Sequence, residues 1–482
     1  MSPLQSVEVH TLPPERFEAV LDRPQWELVD AASRHARDVI GERRVWNVNS
    51  TASGGGVAEL LRSLLAYARG AQVDARWVVI EGEPDFFVLT KRLHHLMHGS
   101  PGDGGPLGLA ERELYERVSR ANADALATML RPDDIVLLHD PQTAGMAPWL
   151  AQRDVHVAWR SHIGIDRSCP EVEAAWGFLL PYLDDVQAFV FTRRDYVPGA
   201  LAERDVTIIP PSLDVFSEKN HPMTADQVAS ILITAGIVDG HAVAPPAFTH
   251  HDGHVSLVHG RALLDETSRL TLHDPTVVQV SRWDLLKDPL GVMLGFAEHV
   301  VPYIPGAHLL LVGPSPEGIA DDPEGAVVLE QARDAWAELP ADERSQVHLV
   351  SLPMTDRSEN AAIVNALQRH ASVVVQKSLA EGFGLTVAEA MWKHRPVVAS
   401  RVGGIQDQVR DGIDGLLLED PTDLVAFGAA VSSLLADPVR AAQLGDAAYE
   451  HVRADFLATR HLIQYLGLFG RLIDGDRHQG IQ

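Results

Sequence analysis

Short apolar runs alternate with helical patterns in two successive series, and this repeated alternation restricts the fold of the chain more than any other feature. Residues 45–48, 75–80, 135–138, 155–159, 188–191 and 206–209 form the first set of strand-like runs. After the first of them, Val57, Leu60, Leu61, Leu64, Leu65 and Ala68 recur at helical spacing. This is the rhythm of a mostly parallel sheet covered by helices. It stops near Pro210-Pro211, and a second series runs through 277–280, 308–312, 347–350, 372–375, 396–399 and 416–418, with a helical pattern at 424–435 after it. The reading is therefore α/β, with an N-terminal domain over 1–215, a linker carrying an irregular His-, Pro- and Gly-rich insertion over 216–275, and a second α/β domain over 276–455. A terminal helix over 456–482 is expected to cross back to the first domain. Two such domains in one chain suggest a cleft at which the carboxyl ends of their strands meet.

Charge narrows the class of ligand. With 40 Lys plus Arg against 66 Asp plus Glu, the net charge is −26. That argues against a general nucleic-acid or anionic-membrane binder, both of which require a positive field. An anionic ligand must then be held by a few local cations and backbone N–H groups. The single cysteine, Cys169, allows no intramolecular disulfide, and a reducing cytoplasm is the expected compartment. Residues 1–17 lack the apolar core of a signal peptide, and no run reaches the length of a membrane span.

Three segments carry candidate chemistry. Ser53-Gly54-Gly55-Gly56 lies between the first strand and the first helix, where glycine lets backbone N–H groups approach a phosphate or sugar; a tight structural turn is the competing reading. Glu381-Gly382-Phe383-Gly384-Leu385-Thr386 follows the run 372–375 and opens a helix that carries Glu389 about two turns on. Gly382 and Gly384 let the loop approach a ligand, the N–H groups of Leu385 and Thr386 suit phosphate oxygens, and a loop carboxylate suits sugar hydroxyls. The competing reading makes the glutamates charges that complement a helix dipole. Arg282 and Lys287, five positions apart after the first strand of the second series, could converge on a diphosphate, or serve as surface ion-pair partners.

Taken together, Glu381-x7-Glu389, the Arg282/Lys287 pair and Val402-Gly403-Gly404-Ile405 resemble the nucleotide-sugar half of retaining glycosyltransferases of the family-4 type, which have the two-domain GT-B fold. The first half narrows the resemblance. Ser53 to Glu59, Val79-Ile80-Glu81-Gly82, His139-Asp140-Pro141-Gln142, Trp159-Arg160-Ser161-His162, Pro210 to Asp214 and Ser217-Glu218-Lys219-Asn220 are similar to the glycosyltransferring trehalose synthases and the related trehalose phosphorylases.

The resemblance implies roles. Glu381 would contact donor-sugar hydroxyls and Glu389 the ribose, while Arg282 and Lys287 would neutralise the leaving diphosphate with the backbone of Gly384 to Thr386. Phe383 would lie in the same donor loop. His162 would stand near the anomeric centre, Gly54 to Gly56 would close over the phosphate side, and Asp140 and Gln142 are candidates for acceptor hydroxyls. The implied activity is transfer of glucose from a nucleoside-diphosphate glucose to glucose, giving α,α-trehalose with retention. A phosphorylase cleaving trehalose with phosphate, or a transferase with another sugar acceptor, stays open.

Neither glutamate is an obvious nucleophile, so retention would come from front-face attack rather than double displacement. No cofactor or metal is expected: the one Asp-x-Asp triplet, Asp474-Gly475-Asp476, sits in the tail, and His250, His251, His254 and His259 lack a defined ligand spacing. The expected partners are small molecules, with neither nucleic acid nor membrane among them, and the insertion is a candidate homodimer surface.

Overall fold

The computed structural model describes residues 4–52, 56–316 and 323–479. The chain forms two compact units, one made of residues 1–212 with 458–482 and the other of residues 213–457.

In the first unit the strands are β1 (Leu4–Val7), β2 (Arg44–Asn49), β3 (Asp74–Ile80), β4 (Asp134–His139), β5 (Val155–Ser161), β6 (Ala188–Phe191) and β7 (Val206–Ile208). They lie in the order β1-β3-β2-β4-β5-β6-β7, all parallel except the edge strand β1, which pairs antiparallel with β3. Both faces are covered, which is why the strands read as continuous apolar runs rather than alternating ones. One face carries Trp46, Val48, Val136, Leu138 and Trp159 against Phe86, Tyr115 and Phe178 of the helical layer. The other carries Val45, Ile135, Leu137 and Val190 beneath Tyr465, Leu468, Phe469 and Leu472 of the carboxyl-terminal helix Ala458–Gln479. Each such large side chain contributes about 1.5–3 kcal/mol on burial.

The second unit contains β8 (Ala247–Thr249), β9 (Val255–Leu257), β10 (Leu263–Asp265), β11 (Thr276–Val280), β12 (His308–Pro314), β13 (Val347–Leu352), β14 (Val373–Gln376), β15 (Val397–Ser400) and β16 (Leu416–Leu418). Its main sheet runs β10-β13-β12-β11-β14-β15-β16, parallel except for the antiparallel edge β10. Counted from β11, the parallel strands follow the doubly wound order 3-2-1-4-5-6. The order reverses between β11 and β14, and in the first unit between β2 and β4. At such switch points the connections leaving adjacent strands diverge and open a crevice at the carboxyl edge, where ligands of α/β sheets bind.

The expectation of an irregular insertion needs adjustment. Residues 225–234 form a helix capped by Thr224, β8 and β9 make a two-stranded hairpin, and β10 extends the main sheet. Short strands and a small helix leave little periodic signal among the surrounding His, Pro and Gly.

No single helix among the described residues is long and apolar enough to cross a membrane; Leu424–Ala436 and Pro438–Asp455 reach that composition only as a pair bent by 101°. Phe427, Val431, Leu434, Ala441 and Leu444 of that pair are buried in the core of the second unit.

Candidate functional site

In the second unit, the connections after β11 and β14 meet at the switch point. Trp283 anchors the first: its ring is buried and its Nε1 donates to the Pro314 carbonyl at 3.0 Å. Asp284 caps the turn by accepting from Leu286 N at 2.8 Å. The two connections are then stitched together, Leu379 N donating to Leu286 O at 2.8 Å. Gln279, buried near the end of β11, reaches both: its Nε2 donates to Lys287 O at 2.9 Å and its Oε1 accepts from Lys377 N at 3.3 Å.

Within this frame Lys287 Nζ stands 2.5 Å from Glu381 Oε2, both side chains largely shielded from solvent. Ser378 Oγ donates to the same carboxylate oxygen at 3.4 Å. A second ion pair lies beside it. Lys377, fully buried, donates to Asp288, whose backbone is left-handed at φ 49° and whose carboxylate also accepts from Gly291 N at 3.1 Å to cap the helix Pro289–His299. Sequence reasoning passed over Lys377 and Asp288; the signal available was a lysine directly after an apolar strand, where a buried cation needs a partner.

Arg282 directly precedes Trp283 on the same connection. Its side chain is 65% exposed and pairs with Asp284 at 3.2 Å, while Lys287 turns to Glu381.

Gly384 is left-handed at φ 82° and opens the helix Leu385–Trp392 as its N-cap. A Cβ there would meet Ile405 Cγ1 at 3.0 Å and Glu381 Cγ at 3.1 Å, whereas one at Gly382 would meet nothing within 4 Å. Gln408 fastens the loop, donating to Phe383 O and accepting from Ala388 N at 3.1 Å, and Gly404 N donates to Gly382 O at 3.0 Å. Leu385 and Thr386 are half-buried at the helix start, and Thr386 Oγ1 donates to Gln376 Oε1 at 3.1 Å.

Glu389 is only 5% exposed, on the buried side of that helix. Lys219 Nζ lies 3.9 Å from it. Buried Lys393 donates to Asn220 Oδ1 at 3.0 Å, Gln368 Oε1 at 2.7 Å and the Glu389 carbonyl at 2.9 Å. Burial holds the Lys393 ammonium well below the ordinary lysine range, against the opposing pull of Glu389. The Glu389 carboxylate thus has Lys219 as an ion-pair partner, and its backbone carbonyl is held by Lys393.

In the first unit the corresponding edge gathers Asn47, His139, Asp140 and His162. His139 Nε2 is 3.1 Å from Asn47 Oδ1, and its Nδ1 is 2.9 Å from His162 Nε2. Asp140 is left-handed at φ 62° and accepts from His162 N at 2.7 Å. Burial raises its carboxyl to about 7, opposed by that N–H and by Arg160. Burial, reinforced by the Arg160 charge, holds His139 and His162 well below the usual histidine range. Arg160 itself is fully buried, donating to His461 Nε2 at 2.8 Å, to Tyr465 and to Ile209 O at 3.1 Å. Gln142 is half-buried on the short helix Asp140–Ala144. Gly56 starts the helix Gly56–Gly70 with open space around it, while Gly54 and Gly55 lie outside the described residues. His250 and His251 pair with Glu218 at 3.2 Å and Asp214 at 2.6 Å.

Residues 47–198 match the family model of the trehalose synthase N-terminal domain, and residues 271–451 that of glycosyl transferases group 1. The chain is 35% identical over 432 residues to a trehalose synthase of Rubrobacter xylanophilus, covering 89% of this chain and 91% of that one. A trehalose phosphorylase of Pleurotus sajor-caju is 24% identical over 77% of this chain, which spans 50% of the phosphorylase. Among solved structures, a UDP-forming α,α-trehalose-phosphate synthase from Burkholderia vietnamiensis superposes with a TM-score of 0.62 at 14% identity, over 91% of this chain and 98% of that one. Likeness at that identity carries the fold, which is of the GT-B type.

Proposed function

The chain belongs to the trehalose synthase family of glycosyltransferases, and we propose that it moves glucose from a nucleoside-diphosphate glucose to the anomeric hydroxyl of glucose, giving α,α-trehalose with retention. The observation that carries this reading is the switch point of the second unit. There Lys287, Arg282 and the helix start at Leu385 offer positive charge and backbone donors beside a carboxylate, Glu381, in a chain of net charge −26.

In this reading Lys287 and Arg282 meet the diphosphate, Glu381 accepts from donor-sugar hydroxyls, and Glu389 holds the ribose, exchanging part of its contact with Lys219 for the ligand. Asp140 and Gln142 serve the acceptor. The acceptor hydroxyl attacks C1 from the face the diphosphate leaves, the C1–O bond electrons depart with the phosphate, and the hydroxyl proton passes to a leaving phosphate oxygen. The protein's part is orientation and stabilisation of the departing charge. No resident metal or cofactor enters this scheme.

The same cations would suit inorganic phosphate, so cleavage of trehalose is the reading to set against it. Incubation with UDP-, ADP- or GDP-glucose plus glucose, and separately with trehalose plus phosphate, followed by NMR of the products, decides. Trehalose formed only in the first mixture upholds the proposal; glucose 1-phosphate formed only in the second replaces it.

A further inference from the structure

Asn47, His139 and His162 climb diagonally across adjacent parallel strands. Asn47 registers with Leu137, and His139 lies two residues further along β4; His139 registers with Arg160, and His162 lies two residues beyond that. Residues two apart on a strand share a face, so Asn47 and His139 project to the face covered by the carboxyl-terminal helix, and His162, one residue past β5, meets His139 there through its ring. The two contacts, 3.1 and 2.9 Å, close the series. An asparagine at the centre of a strand, 2% exposed and flanked by Val45 and Leu137, is costly unless its amide is used.

We infer that Asn47 and His139 are positioning residues that fix His162 in one tautomer, its Nε2 protonated and its Nδ1 presenting a lone pair to a sugar hydroxyl. The direction follows from donor chemistry. The Asn47 carbonyl oxygen can only accept, so His139 Nε2 donates to it. In a neutral ring Nδ1 then carries the lone pair, and His162 Nε2 must donate to it. Among the described residues His162 Nδ1 meets no hydrogen-bond partner, which leaves it for a ligand. Arg160, buried on the neighbouring position of β5, supplies the positive charge that disfavours a second proton on either ring. Asp140 fixes the backbone of His162 from below through its 2.7 Å bond to the amide. That the hydroxyl belongs to a sugar rests on the function proposed above; the tautomer does not.

The test is 15N NMR of the full chain labelled at histidine, with the His162 signals assigned through His162→Gln. The expected spectrum shows His162 protonated at Nε2 and not at Nδ1. Asn47→Ala should mix the tautomers and lower kcat about tenfold or more with a smaller change in KM, and Asn47→Asp, which keeps the accepting oxygen, should recover the tautomer and most of the lost turnover. Protonation of His162 at Nδ1 in the unmodified chain overturns the inference, and that measurement stands even if Asn47→Ala does not fold. So does an unmoved tautomer in a folded Asn47→Ala. Absence of trehalose synthesis with every nucleotide sugar would instead remove the proposed function, leaving the tautomer to be judged by the spectrum.

Discussion

Lys287 reaches across from the connection after β11 to the Glu381 carboxylate after β14, at 2.5 Å. The proposed phosphate cation and the proposed sugar carboxylate thus form one ion pair. Lys287→Ala should cost stability as well as turnover, because it removes the ion-pair partner of a shielded carboxylate. A loss of about 2 kcal/mol and a fall of about 10²-fold or more in kcat/KM are expected. Urea denaturation and initial rates measure the two; an unchanged rate would remove Lys287 from the site.

Arg282 should separate these effects. It is 65% exposed with Asp284 as its ion-pair partner, so Arg282→Ala should change stability by less than about 0.5 kcal/mol. Its kcat should still fall by about 10²-fold if the guanidinium meets the leaving diphosphate. Activity within twofold of the unmodified chain would assign it to the surface alone.

The two loop glycines make a matched pair. Gly384→Ala places a Cβ at left-handed φ against Ile405 and Glu381, and should destabilise by about 1–2 kcal/mol, seen as a lower Tm. Gly382→Ala meets open space and should leave the Tm within experimental error while raising the KM for the nucleotide sugar, because the added methyl occupies room needed by a ligand. Equal effects on Tm at both positions would argue that the loop is purely structural.

Each of the strand-like runs in the two series falls on a strand of the corresponding sheet, as 45–48 does within Arg44–Asn49 and 416–418 within Leu416–Leu418. Both faces of those sheets are covered, so the apolar run itself carries the signal. The antiparallel edge strands were silent: Leu-Gln-Ser-Val at β1 and Leu-Leu-Asp at β10 are too short to show a period. For the site, glycine and local charge marked the Gly382–Thr386 loop. The Lys287–Glu381 and Lys377–Asp288 pairs and the Asn47–His139 contact depend on strand register and on what is drawn into the core, which no local pattern encodes.

Asp140 supplies the pH dependence. Its carboxyl is raised to about 7 by burial, whereas in the unfolded chain it titrates near about 3.9. Between those values the folded state holds a proton that the unfolded state has lost. The favourable contribution is therefore fully present below about 4 and disappears as pH rises through about 7, with a slope of at most about 1.4 kcal/mol per unit. Asp140→Asn lacks this titration, so its stability relative to the unmodified chain should increase as pH rises from 5 to 8. Activity should move the other way in the unmodified chain. The carboxylate accepts from a hydroxyl more strongly than the protonated acid does, so if Asp140 holds an acceptor hydroxyl kcat/KM should climb through about pH 7. In Asp140→Asn that limb should vanish and the profile lie flat and low. Denaturation at several pH values and a kcat/KM profile for both proteins check this. Parallel stability curves would show that Asp140 does not carry the proton, and a rising limb kept in the variant would place the titrating group elsewhere.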